Sequence, residues 1–342
     1  MWLTSSSVGR KFIMALTGAF LVLFVTFHCL MNSVAILWPA AYNLVCEFLG
    51  ANWYALAASA ILAAFIIVHI IYASVLTIQN NKARGHEKYA ITSRPKSVEW
   101  SSKNMYVLGI VILAFLIVHL IQFWAKMQLV EVLGCESQIP PVAGTLFIQE
   151  AFAQPWTPVV YIIGFIALWF HMNHGFWSMF QSVGWDNTTW IPRLKKISCW
   201  WVSIVILLFV AQAVIFTVRA NEGYYLTNEE LRAQYKDMIV PMIEEEMGAE
   251  GAQMGNAIKN MPYEQVSQGI RQMNQQMSAQ LEQMKSPQMQ QVIKSQPGGQ
   301  EQLDAMAKQA AGIQRAAAFL DYLEQNDPQT DAMQMQMTQQ PR

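Results

Sequence analysis

The apolar positions of this chain fall into five long runs and then stop. Residues 12–38, 54–78, 105–125, 158–180 and 197–218 are mostly apolar, and each reaches the roughly 20 residues that a helix needs to cross a bilayer core of about 30 Å. They predict five membrane-spanning helices. Arg10 and Lys11 ahead of the first run look like the start of a signal peptide. That run continues well past a usual signal core and shows no small-residue cleavage pattern, so it predicts a retained span.

Beyond residue 220 no run is long enough to span, and helical periodicity on a polar background takes over. Thr227-Asn-Glu-Glu230 reads as a capping box opening a helix to about Met247, with Pro241 expected to kink or end it. Pro262 suits a first helical turn, and Val266, Ile270, Met273, Met277, Leu281 and Met284 follow at spacings of 4, 3, 4, 4 and 3. That is one apolar stripe, closed by Ser286-Pro287. Pro297-Gly-Gly299 precedes a further helix from about Gln300 to Gln325, and the last residues, with Met333, Met335 and Met337, read as disordered. The expected organisation is an all-α membrane protein: a five-span bundle over 1–220 and a mainly helical extramembrane extension over 221–342. Met-rich faces point to adaptable packing, with copper on clustered thioethers as the sharper alternative. The extension is expected to pack as a helical hairpin on the outer face of an assembly.

Charge orients the spans. Arg10 and Lys11 precede the first; Lys82, Arg84, Lys88, Arg94, Lys96 and Lys103 follow the second; Arg193, Lys195 and Lys196 precede the fifth. The alternate loops hold Lys126 with Glu47, Glu131, Glu136 and Glu150. Basic residues stay inside, which predicts a cytoplasmic N-terminus and a tail on the outer side. Cys46 and Cys135 then lie in outer loops, where an oxidising compartment permits a bridge.

Composition agrees: 54% of the residues are hydrophobic and 13% charged, against roughly a quarter charged in soluble domains. The net charge of −1 is an average, since residues 1–220 hold 13 Lys/Arg against 7 Asp/Glu and residues 221–342 hold 9 against 16. No region combines strong basic charge with aromatics outside the apolar runs, so nucleic acid is not an expected partner. Four Cys in 342 residues exclude a disulfide framework.

Five of the six histidines lie inside the predicted spans: His28, His69, His119, His171 and His174. Ionisable residues in a span are costly, so they mark function by default. His28 and His119 lie 16 and 14 residues into spans that start inside, while His69 and His171 lie 15 and 13 residues into spans that start outside. At 1.5 Å per residue this makes two pairs at two depths, roughly 10 to 15 Å apart. Two haems with two imidazoles each need that arrangement, and a doubly ligated iron suits electron transfer. Zinc would want its ligands at one level. No Cys-x-x-Cys-His is present, so covalent haem attachment is excluded. Gly18, Ser59 and Gly109 each precede a histidine by ten residues, about 15 Å, placing them near the other pair's level. They suit either approach of a flat macrocycle or close helix packing.

Ser5-Ser-Ser-Val-Gly-Arg-Lys-Phe-Ile-Met-Ala-Leu-Thr-Gly18, then His28, resembles the start of the cytochrome b558 subunit of the bacterial succinate dehydrogenase/fumarate reductase family, in its Bacteroidetes form. His171-Met-Asn-His174-Gly175-Phe-Trp177, followed by Gly184-Trp185, resembles that family's fourth-span His-x-x-x-Gly-x-Trp motif. The likeness covers about residues 4–220. It implies a membrane anchor with two b haems, acting as the haem and quinone subunit of the enzyme complex. A flavoprotein with the dicarboxylate chemistry and an iron–sulfur subunit would dock on its cytoplasmic side, with (mena)quinone as electron partner and a dimer of the complex as one possible assembly. By motif, His69 with His171 would hold the inner haem and His28 with His119 the outer one. His174 is the alternative ligand, or a residue near a propionate or quinone. Glu47 stands about where some relatives carry an acidic quinone-site residue; a solvated loop acid is the plainer reading. Where some relatives use a Glu two residues before the fourth-span histidine for a proton path, this chain has Trp169. His86, in the basic loop, is expected to be solvated. The other readings are a dihaem anchor of formate dehydrogenase or hydrogenase type, and a haem-free transporter using intramembrane histidines.

Overall fold

The computed structural model describes residues 6–50, 52–84 and 99–328, apart from the side chains of Arg84 and Lys294. His86, Lys88, Arg94 and Lys96 of the basic loop, and Met333, Met335 and Met337, lie outside the described residues. Every regular element among those described is a helix.

Helix α1 (Ser7–Leu37) starts where the Ser6 side chain accepts a hydrogen bond from the Gly9 amide at 2.9 Å. It stops at Trp38, which precedes a proline and takes φ −151° and ψ 87°, as expected of a residue pushed out of the helical region by the following ring. Pro39 then opens α2 (Pro39–Phe48). Helix α3 is Trp53–Arg84 and α4 is Trp100–His119. From Leu120 to Leu129 the chain continues as a π-helix, then as α5 (Val130–Leu133). Next come α6 (Gly144–Phe152), α7 (Thr157–Ser182) with Pro158 in its first turn, and α8 (Trp190–Asn221). Five helical stretches are long and apolar enough to cross a membrane: Ser7–Leu37, Trp53–Ala83, Trp100–Leu133, Thr157–Ser182 and Trp190–Asn221.

The chain divides into two compact units. The first, Met1–Leu133 with Glu150–Val218, holds these helices. Helix α1 packs on α3 and α7, and α4 packs on α7. Gly164 makes the α4–α7 approach possible, since a Cβ there would lie 2.5 Å from Phe115 Cγ. Helix α8 is tied to α1 by Gln212, whose amide donates to the Cys29 carbonyl and to Ser33 Oγ, both at 2.9 Å. It is tied to α7 by Trp169 Nε1, which donates to Ser203 Oγ at 3.0 Å. Leu23, Ile61, Ile67, Ile110, Ile163 and Leu207 are all more than half exposed. A belt of that kind is poorly tolerated in water and well solvated by hydrocarbon.

The second unit is Gly134–Gln149 with Arg219–Arg342. It contains α9 (Tyr224–Thr227), α10 (Glu229–Met247), α11 (Ala249–Asn260), α12 (Tyr263–Met284), α13 (Pro287–Ser295) and α14 (Gly299–Gln325). The cap of α10 is Asn228, whose side chain accepts from the Leu231 amide at 3.1 Å. Thr227 does not fill the role the sequence suggested, because it is still helical as the last residue of α9, while Asn228 has the extended backbone of a cap. Pro241 lies inside α10 without ending it. The missing N–H costs a hydrogen bond, but the neighbouring Ile239, Val240 and Ile243 are buried and hold the helix in place. Helix α11 folds back on α10 through Gly255, where a Cβ would meet Val240 Cγ1 at 2.6 Å. Helix α14 packs on both α10 and α12, with Arg315 reaching Glu246 at 2.6 Å and Arg271 reaching Asp321 at 2.8 Å. The segment 134–149 belongs here: Thr145 Oγ1 lies 2.8 Å from the Tyr235 hydroxyl, and Gln149 donates to the Ala220 carbonyl at 2.7 Å. No disulfide joins Cys46 to Cys135.

Candidate functional site

Four long helices of the first unit each bring one histidine to a partner. The His28 and His119 rings, from α1 and α4, have centroids 5.7 Å apart at 84°. The His69 and His171 rings, from α3 and α7, have centroids 6.3 Å apart at 63°. Two imidazoles on opposite sides of one metal ion would have centroids about 6 Å apart, given a metal–nitrogen bond of about 2.0 Å and about 1.1 Å from nitrogen to ring centre. Both spacings suit such a pair.

The glycines show how far apart the pairs are. A Cβ on Gly18 of α1 would lie 3.6 Å from His69 Cε1, and one on Gly109 of α4 would lie 3.7 Å from His171 Cε1. Gly18 is therefore level with His69, and His28 follows ten residues later on the same helix. Ten residues are about 15 Å of rise. The same interval separates Gly109 from His119, so both helices give one spacing. A Cβ at either glycine would make only ordinary van der Waals contact with the histidine of the other pair. Ser59 is half-buried on α3.

Polar side chains inside the spans orient these rings. Thr17 Oγ1 lies 3.1 Å from His69 Nδ1 and also 2.9 Å from the Ile13 carbonyl. Its one proton goes to its own helix, so the hydroxyl oxygen accepts from His69 Nδ1–H and leaves the Nε2 lone pair available. Asn32 Nδ2 lies 3.0 Å from His28 Nε2, and its Oδ1 accepts from the Tyr42 hydroxyl at 3.2 Å. A metal on His28 Nε2 would displace that amide. His171 Nδ1 is buried without a well-aligned hydrogen bond. His119 Nδ1 lies 3.1 Å from the Tyr161 hydroxyl. Thr17, Asn32, Gln122 and Tyr161 were visible in the sequence as polar residues within apolar runs, but no spacing rule paired them with particular histidines.

His174 takes a different place. Its Nδ1 lies 3.3 Å from Glu99 Oε2, its ring stands edge-on to Trp177 at 4.8 Å, and Lys195 Nζ meets Glu99 Oε1 at 2.6 Å. Burial pushes the Glu99 carboxyl up, but the hydrogen bonds and charges of Lys195 and His174 outweigh it and hold the group below the usual carboxylate range. Glu47 is exposed near the end of α2, with its backbone carbonyl accepting from the Gly50 amide at 3.3 Å.

Among the described residues no three His, Cys, Asp or Glu converge as a metal cluster. The donors come in twos, which suits a centre that brings its own equatorial ligands better than zinc, which takes four protein donors in a structural site. Comparison with protein-family models, curated proteins and solved structures found no match to this chain.

Proposed function

We propose that this chain is the dihaem membrane anchor of a succinate:quinone or quinol:fumarate oxidoreductase, passing electrons between an iron–sulfur subunit and a quinone. One observation carries the reading: two histidine pairs, at centroid spacings of 5.7 and 6.3 Å, one helical stretch of about 15 Å apart. The motif resemblance over residues 4–220 names the complex.

Each b haem, when bound, supplies a one-electron carrier whose iron has no open position. His28 with His119 would hold one and His69 with His171 the other. Thr17 would keep His69 in the tautomer that can ligate. The apolar faces of α1, α3, α4 and α7 keep water from the carriers. With the basic residues near Arg10, Lys82 and Arg193 inside, as the positive-inside rule favours, the His69/His171 level would face the cytoplasm and the tail the outer side. The flavoprotein and iron–sulfur subunits dock on the cytoplasmic side, menaquinone is the expected lipid-soluble partner, and Glu47 is the candidate acid for its protons.

A reduced-minus-oxidised spectrum of the purified chain tests the reading. Two b-type haems per chain, with a flavoprotein and an iron–sulfur protein copurifying, support it; the absence of an alpha band overturns it.

A further inference from the structure

We infer that Tyr161 and Gln122 form a hydrogen-bond relay that selects the tautomer of His119 and lowers the potential of the haem it holds; this rests on the dihaem reading above. Gln122 Nε2 donates to Thr157 Oγ1 at 3.1 Å, which leaves Gln122 Oε1 facing the Tyr161 hydroxyl at 2.9 Å. Tyr161 has one proton and gives it to that oxygen. Its own oxygen, 3.1 Å from His119 Nδ1, is then an acceptor, so the histidine carries its proton on Nδ1. The Nε2 lone pair is left for iron.

The relay has one other self-consistent setting. With the amide turned over, Thr157 would donate to Gln122, Gln122 to Tyr161, and Tyr161 to His119 Nδ1. That puts the proton on Nε2 and blocks ligation. Burial makes the choice consequential, since Thr157 is wholly buried and Tyr161 nearly so, and water is not at hand to satisfy a mismatched link. Phe115 and Phe123 flank the His119 ring at centroid distances of 6.0 and 5.3 Å and complete an apolar sheath.

The consequence falls on the haem that His119 holds, because the relay touches no ligand of the other pair, whose His69 meets Thr17 instead. An Nδ1–H donated to a phenol oxygen makes the imidazole a stronger base toward the metal, which favours the ferric state. The phenol is itself a better acceptor because it donates onward to Gln122. His171 has no phenol behind it; its neighbour is the Met105 backbone. Tyr161 and Gln122 are positioning residues here, acting on the metal only through His119.

The test is a redox titration of the whole chain, in membranes with its complex, followed at the alpha band. Tyr161→Phe is expected to raise the midpoint potential of one haem component, the one that His119→Ala removes, and to leave the other unmoved. Gln122→Met should raise the same component by less, because Tyr161 is retained; it serves as the readout if the Tyr161 variant does not assemble. Unmoved potentials, or equal shifts in both components, overturn the relay while leaving the dihaem reading intact. A wild-type chain without b-type absorption overturns both.

Discussion

His174 Nδ1 lies 3.3 Å from one oxygen of Glu99, whose other oxygen receives Lys195 Nζ at 2.6 Å. The histidine is thereby held beside the Glu99–Lys195 ion pair, at the starts of α4 and α8, while His171, one turn away, faces His69. The expected result is that His174→Asn keeps two haems per chain and His171→Ala keeps one, as counted from the reduced alpha band. Loss of a haem in the His174 variant alone would reverse the assignment.

The same carboxylate sets a pH dependence. Because Glu99 titrates below its unfolded value, its contribution to stability is complete above the ordinary carboxylate range and is lost as pH falls through the depressed folded value. Lys195→Met removes the main group that lowers it, so the acid limb of thermal unfolding in detergent should move to higher pH. An acid limb that stays in place would show that the cluster is not coupled to stability.

Pairing can be read from single substitutions. His69→Ala and His171→Ala should delete the same spectral component, and His28→Ala and His119→Ala the other. A component shared between His69 and His119 would contradict the centroid distances.

Gly164→Ala should weaken the α4–α7 contact, because the new Cβ falls 2.5 Å from Phe115 Cγ in a ring packed 5.0 Å from Tyr161. Overpacking of this kind costs about 1–3 kcal/mol. A lowered thermal midpoint of the detergent-solubilised chain checks it, and an unchanged midpoint would mean Phe115 moves aside at little cost.

In the second unit, Lys236 Nζ donates to the Lys259 carbonyl at 2.9 Å and the Met261 carbonyl at 3.0 Å, with its side chain 8% exposed. These carbonyls close the end of α11, so Lys236→Met removes both hydrogen bonds that hold it. Faster amide exchange across 249–262, relative to the wild type, is the expected sign.

The long elements could be read from hydropathy because a spanning helix must satisfy its backbone internally and present apolar side chains throughout. The five runs found their helices, although each helix extends beyond its run: the third, expected over 105–125, is helical over Trp100–Leu133. Polar end residues continue a helix without adding hydropathy, so the pattern stops before the backbone does. Short helices such as α2, α11 and α13 gave no distinct signal, since ten or so mixed residues match many templates. Thr227 and Asn228 were equally good caps by type, and the backbone decided between them, helical at Thr227 and extended at Asn228.

By itself the sequence determined five apolar helices, the depth of each histidine and the polar character of the tail, because hydropathy and rise per residue are local properties. Tertiary structure decided that the depth-matched imidazoles stand ring to ring, that His174 joins Glu99, that Tyr161 and Gln122 stand behind His119, and that residues 134–149 fold with the tail. Those outcomes depend on how each helix is rotated about its axis and which neighbour it faces, and the one-dimensional pattern does not contain that rotation.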